Sequence, residues 1–411
     1  MLLRNAVSAL ALVAAITAPA LAAAPKPKPR PAAASELIML DTHLDTPVNF
    51  GRVDWDIMAD NSADPFSQVD YPRMVRGGLT GGFFAIYIAQ GPLTAEGYAA
   101  ARDEALMRAV WIREMVARHS DRFALAFAAA DAARIAAQHK RVVFQSMENS
   151  YPLGEDLTLL RTFYDLGLRL AGPVHFRNNQ FADSATDTPR WHGLSPLGKA
   201  WVAEANRLGI MIDASHASDD VFDQLLTVSK TPIVLSHSGC KAVFDHPRNL
   251  DDGRLRKLAA AGGVIQINSV YLKPRTKLDP ATRADQDRVD ADKDRLSTLS
   301  AAEIGRLKAE QRRIDAKYPP PASFDDFMAN LLHALKVAGV DHVGVGADWD
   351  GGGGVVGMKD VADLPKINAR LRQAGYSEAD LRKIWSGNIL RVMRQAEANK
   401  ATAAKAATPA G

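Results

Sequence analysis

Short apolar runs alternate with longer amphipathic stretches along most of the chain, a pattern that predicts parallel βαβ units. Eight strands are expected near residues 37–43, 82–88, 141–147, 168–174, 210–215, 232–236, 262–268 and 342–347. Several are almost continuously apolar, as strands are when helices cover both faces of a parallel sheet. Between them, segments such as 98–118 and 196–208 have helical spacing, and glycines at 209, 262–263 and 339 fall where helix C-caps belong. The expected fold is an α/β, (β/α)8 TIM-type barrel, with every strand's C-terminal end on one face. An open doubly wound sheet is the alternative, and it would spread those ends along a line.

One stretch breaks the alternation. Residues 272–320 form a charged excursion after the seventh expected strand, with an exposed helix expected over 298–317 and a stop at Pro319-Pro320-Pro321. It reads either as a solvated insertion or as a lid or subunit contact beside the strand ends. The chain ends read differently. Arg4, the apolar run 6–17 (AVSALALVAAIT) and Ala20-Leu21-Ala22 have the layout of a cleavable signal peptide over residues 1–22. Pro19 and the shortness of the run argue against a stable membrane anchor. Residues 23–35 read as a Pro/Ala/Lys-rich linker, 36–396 as one barrel domain, and 397–411 as a disordered Ala-rich tail. An exported protein, periplasmic or secreted, is expected.

Composition narrows the picture only a little. The 411 residues are 47% hydrophobic and 24% charged, with a formal net charge of +3 and no basic stripe of the kind that binds nucleic acid. Cys240 is the single cysteine, so no internal disulfide contributes to stability.

The chemistry gathers at the strand tails. IMLDTHLD (38–45), RVVFQSME (141–148), IMIDASH (210–216) and PIVLSHS (232–238) carry His43, Asp45, Glu148, His216 and His237. His43 and Asp45 lie two apart on a strand and so share a face. Imidazole plus carboxylate suits zinc, and also manganese, iron or cobalt. Glu148 has two oxygens and could bridge two divalent ions, with His216 and His237 completing the coordination of the second ion. Two ions about 3.5–4 Å apart generate a bridging hydroxide and polarise a carbonyl. His175, ending the fourth strand, could donate to an oxyanion. Arg248, in HPRNLDD, could grip a carboxylate or form a surface salt bridge with Asp251 or Asp252. Asp348 in GVGADWDGGGG is placed for general acid–base work, with Asp350 a rival that strand alternation does not separate from it.

At these residues the chain resembles the membrane (renal) dipeptidase family, zinc metallopeptidases with a binuclear centre in a (β/α)8 barrel. DTHLDTP, ME at 147–148 followed by LRTFYDLGLRLAGPVH, DASHAS, PIVLSHSG, HPRNLDD, GVDHVGVGADWDG and SGNILRV resemble the family's blocks in order, from about 39 to 393. The resemblance implies that His43 and Asp45 bind one ion and His216 and His237 the other, with Glu148 bridging. It implies that His175 and Arg248 bind substrate, and that Asp348, not Asp350, carries the proton to the leaving amine. Three features depart from the family: Asn149 where glycine is usual, Gly172-Pro173-Val174 before His175, and the length of the excursion. They alter the walls of the site and leave the ligands intact.

The expected function is hydrolysis of small dipeptides, tolerant of a C-terminal D-residue, with two divalent ions, zinc expected, as cofactors. Another binuclear barrel amidohydrolase, acting on acylated amino acids, cyclic amides or lactones, would share the ligands without needing Arg248. A metal-binding protein without catalysis is the more distant alternative. The resemblance also allows a homodimer.

Overall fold

Among the described residues ten strands, all paired in parallel within two curved sheets, carry the fold: β1 (Leu40–Leu44), β2 (Gly81–Tyr87), β3 (Phe123–Leu125), β4 (Arg141–Glu148), β5 (Leu168–Ala171), β6 (Met211–Ile212), β7 (Val234–Cys240), β8 (Asn249–Leu250), β9 (Val264–Ile267) and β10 (Val343–Val345). The computed structural model describes residues 37–407, so the expected signal peptide and linker lie outside the described residues. One sheet runs β1-β2-β4-β5-β6 with β3 beside β4, and the other runs β10-β9-β7-β8. Single parallel bridges join them, Asp213 to Val234 beyond β6 and Leu44 to Trp349 beyond β10. Ala214 N donates to Val234 O at 2.7 Å and Asp45 N to Trp349 O at 2.9 Å across those seams. The ring β1-β2-β4-β5-β6-β7-β9-β10 is the eight-stranded barrel. Its members are the eight strands expected from the sequence; β3 and β8 are short additions.

Local signals set the helix boundaries. Ser195 caps helix Pro196–Leu208, its side chain accepting from Gly198 N, and Gly209 ends it at φ 76°. Ser323 and Asp326 form a capping box before Phe324–Ala338. At the N-terminal end of the strands, Leu40, Val142, Leu170, Met211, Val234 and Val264 gather with Ile389, Val392 and Met393 of helix Asn388–Ala407. Burying each such side chain contributes roughly 1.5–3 kcal/mol, and the helix covers the barrel end away from the histidines.

That helix corrects one expectation. The ordered chain does not stop at 396: the helix continues to Ala407, Asn399 Nδ2 donates to Asn206 O at 2.8 Å, and Lys400 Nζ to Tyr164 Oη at 2.6 Å. Alanine repetition that resembles low complexity is also the best helix-forming composition.

The excursion is also more built than one exposed helix. It folds as a hairpin of helices Pro280–Lys293 and Ala301–Lys317. Val289, Leu296, Leu299, Ile304 and Leu307 form a small core with Phe66, and Lys308 Nζ pairs with Asp54 and Asp64. Among the described residues no helix is long and apolar enough to cross a membrane.

Candidate metal centre

The sequence-predicted ligands converge at the C-terminal mouth of the barrel, and irregular strand pairing helps to aim them. The β1–β2 register shifts between Asp41 and Leu44, and the β7–β9 register between Leu235 and Ser238. Each shift sets one extra residue against its partner strand, and the segments concerned carry His43 and His237. Bulges of this kind redirect side chains next to active sites. His237 therefore lies inside β7 and not at its tail, a correction to the sequence expectation.

Glu148 is the centre of the cluster. Its Oε2 lies 3.5 Å from His43 Nε2, while Oε1 lies 2.9 Å from His216 Nε2, 3.2 Å from His237 Nε2 and 3.7 Å from His175 Nε2. Asp45 Oδ2 stands 3.2 Å from His43 Nε2. Three overlapping groups can hold a metal ion: His43–Glu148–His237, Glu148–His175–His216 and His43–Asp45–Asp348. His175 thus stands among metal-type neighbours in space, which its sequence surroundings did not show.

The donor set fits divalent cations. His43 Nε2, Asp45 Oδ1 and His216 Nδ1 are buried without a hydrogen-bond partner, although such groups are normally satisfied. Burial holds the pKa values of His216 and His237 well below the ordinary histidine range, with Arg248 and His43 respectively adding to it. Both are therefore neutral donors. At His43 burial also opposes charge, but Asp45 and Glu148 outweigh it and hold its pKa well above the usual value. The carboxylates demand positive charge at that point. Gly351 completes the cradle: a Cβ there would come 2.0 Å from Asp45 Oδ2 and 2.3 Å from Asp348 Oδ1.

Supporting groups that sequence reasoning missed hold the ligands. Asp41 accepts from His43 N at 2.9 Å and Ala347 N at 3.1 Å. Asp213 accepts from Ser215 N and Ser236 N, each at 2.9 Å, and from Ser236 Oγ. Ser236 Oγ in turn lies 2.8 Å from His237 Nδ1, which fixes the ring and presents Nε2 to the centre. Strand parity was the available signal, since Asp41 shares the alternation of His43 and Asp45.

The remaining predicted residues divide. Asp348 lines the cavity at φ 68° and groups with His43 and Asp45. Burial pushes its carboxyl up to about 7, opposed by His43 and reinforced by Asp45 and Glu148. Asp350 is committed elsewhere, accepting from Thr46 Oγ1 at 2.7 Å and from Gln68 N. Arg248 does not form the surface salt bridge considered from the sequence, because Asp251 pairs with Arg254 and Asp252 with His333. It is buried behind the cavity wall, 5.2 Å from the Tyr271 ring centroid, and donates to His237 O at 3.1 Å. Asn149, which replaces the usual glycine, adopts φ 65°, a left-handed conformation that asparagine tolerates better than most residues.

Above the centre is a cavity of about 550 Å³ lined by Tyr87, His175, Phe176 and Tyr271 and walled on its outer side by the hairpin. A barrel whose mouth gathers buried imidazoles and carboxylates around one glutamate belongs to the metal-dependent barrel hydrolases. The model of the membrane dipeptidase family, peptidase family M19, matches residues 31–407, and the chain belongs to that family. It is a metallodipeptidase by class. Dipeptidase tcpJ of Claviceps purpurea is 29% identical over 357 residues, covering 84% of this chain and 74% of that protein. The probable dipeptidase PvdM from Pseudomonas aeruginosa shares 30% identity at a TM-score of 0.74, covering 88% of this chain and 96% of that one. A metallo peptidase from Rhodobacter sphaeroides, liganded with a phosphinate mimic of the dipeptide L-Ala-D-Ala, shares 27% identity at a TM-score of 0.69, covering 88% and 99%.

Proposed function

We propose that the protein cleaves small dipeptides at a centre of two divalent ions, zinc being the expected metal, and tolerates a D-residue at the C-terminal position. The observation that carries the two-ion reading is the division of Glu148, with one oxygen toward His43 and the other toward His216 and His237. His43 and Asp45 would hold one ion and His216 and His237 the other. Bound there, the ions supply an activated water and polarise the scissile carbonyl. D-residue tolerance is supported by the Rhodobacter relative, whose ligand mimics L-Ala-D-Ala.

The chain's own groups do the rest. His175, kept neutral by burial, donates to the carbonyl oxygen as charge develops on it. Asp348 takes the proton from the attacking water and passes it to the departing nitrogen, the work of a positioned carboxylate beside the centre. The substrate's carboxylate is drawn toward Arg248 past the edge of Tyr271. Export after removal of residues 1–22 belongs to the same proposal, supported by the apolar run 6–17.

Elemental analysis of purified protein beside hydrolysis of an L-Xaa-L/D-Xaa dipeptide panel, with and without chelator, tests the reading. Two metal equivalents and chelator-sensitive cleavage are expected. Metal-free protein that still cleaves the panel at full rate would refute it.

A further inference from the structure

We propose that Asp294, carried by the charged hairpin, receives the free α-ammonium group of the substrate and so selects dipeptides with an unblocked N-terminus over N-acylated amino acids. This rests on the dipeptidase reading of the metal centre and assigns that site its substrate class.

Asp294 directly follows helix Pro280–Lys293 and lines the cavity together with Tyr87 and Asp45. Among the described residues its carboxylate has no hydrogen bond or ion pair. Neither cation near it bonds it, although Arg108 Nε has no hydrogen-bond partner. Lys293 Nζ donates to Asp350 O at 2.7 Å, and Arg108 donates to Pro47 O at 2.8 Å and reaches Glu104 at 3.4 Å. The other carboxylates on this wall differ: Asp290 accepts from Gln286 and Asp315 from Gln311, each at 2.8 Å. A half-buried carboxylate without a partner is costly. Burial pushes Asp294 up to about 6, with Lys293 and Arg108 opposing and Glu104 and Asp290 adding to the shift. An incoming cation would relieve that cost.

The position is also fixed. Val289 and Leu296 on either side are buried in the hairpin core, and the Lys293 bond ties the turn to the loop after β10.

Charge is distributed across the cavity in the same sense. Tyr271, following β9, lies under the Arg248 guanidinium and in the fields of Asp348, Arg275 and Glu148. Tyr87, ending β2, lies in the fields of Asp294, Glu148 and Asp45. Around the rim β10 and β1 separate these two tyrosines. Arg248 and Arg275 therefore stand on the Tyr271 side of the metal centre and Asp294 on the Tyr87 side, which suits a zwitterion with its carboxylate toward the first and its ammonium toward the second. An N-acylated amino acid would place an uncharged acyl group against Asp294.

The test compares metal-loaded full-length enzyme with its Asp294→Asn and Asp294→Glu variants, after equal metal content has been established. Substrates are L-Ala-L-Ala and propionyl-L-alanine, which lacks only the amino group. Dissociation constants are measured in parallel for a phosphinate dipeptide mimic with and without its amine. The parent should prefer the amine-bearing member of each pair by on the order of tenfold or more, the worth of one charge-assisted hydrogen bond. In Asp294→Asn that ratio should collapse toward one through KM and Kd, and Asp294→Glu should restore part of it. An undiminished ratio in Asp294→Asn, or an equal loss on both members of each pair, would overturn the assignment alone. A metal-loaded parent that cleaves neither substrate nor any dipeptide would overturn the dipeptidase reading and this assignment with it.

Discussion

His216 and His237 point their Nε2 atoms at each other across 2.8 Å, 21 residues apart in sequence and both buried. One proton could join the two nitrogens, but Glu148 Oε1 also lies within 3.2 Å of each. Three donors so arranged are better served by one cation than by any single hydrogen bond. Because metal binding stabilises only the folded state, chelation should lower the thermal midpoint by about 5 °C or more. His216→Ala should already show the lowered midpoint and respond little to chelator. Differential scanning fluorimetry with parallel metal analysis measures both, and an unchanged midpoint on chelation would contradict the arrangement.

The Ser236 hydroxyl stands between Asp213 and Nδ1 of His237. Its removal leaves the ligand in place but frees the ring to rotate. Ser236→Ala should therefore weaken metal affinity by about 10–100-fold while the protein remains folded. Competition with a chromogenic chelator reads this directly; affinity equal to the parent would show that the ring is held by packing alone.

The barrel and the convergence of the histidines and carboxylates at its mouth were legible in the sequence because both follow short-range rules. Apolar runs of strand length mark the strands, and an imidazole at the end of one is conspicuous. What was not legible depended on space. The β3 strand is three residues long and β8 two, and each exists only through pairing with one neighbour, β3 with β4 and β8 with β7. Helix Pro280–Lys293 buries only Thr282 and Val289, so it has no apolar stripe, and Asp294 resembles every other charge around it. The bulges at His43 and His237 arise from pairing with neighbouring strands, which the chain's own pattern does not record.

Asp348 shares its group with His43 and Asp45 but is aimed into the cavity. As the proton carrier it should be dispensable for metal binding and indispensable for turnover. Asp348→Asn should lower kcat by about 10²–10⁴-fold, the usual worth of a positioned acid–base group, with metal content unchanged. Loss of metal in step with loss of rate would instead make it a ligand.

Gly351 and Gly305 form a matched pair for substitution by alanine. At Gly351 the new methyl would collide with Asp45 and Asp348, at 2.0 and 2.3 Å. The loop or the carboxylates must then move, and kcat/KM should fall at least about 100-fold, since small displacements at a reacting centre are that costly. At Gly305, exposed within helix Ala301–Lys317, a methyl meets nothing within 4 Å. Gly305→Ala should stabilise the protein by about 0.5–1 kcal/mol with activity intact. Parallel urea titrations and kinetics on the two variants check both directions.

The hairpin's unpartnered carboxylate should also leave a mark on stability. Burial raises the Asp294 carboxyl to about 6, against about 4 in the unfolded chain. A raised carboxyl costs nothing below its unfolded value, where both states are protonated. The cost grows as pH rises through 6 and is complete near pH 8, because the unfolded state ionises first. Asp294→Asn removes the titrating group, so the difference between variant and parent isolates it from every other ionisation. With solvent screening at a half-buried site taken into account, the variant should gain about 1–2 kcal/mol on the parent between pH 4 and pH 8. Urea unfolding midpoints without substrate at both pH values measure the gain; parallel pH profiles for the two proteins would mean that Asp294 ionises freely and is already solvated.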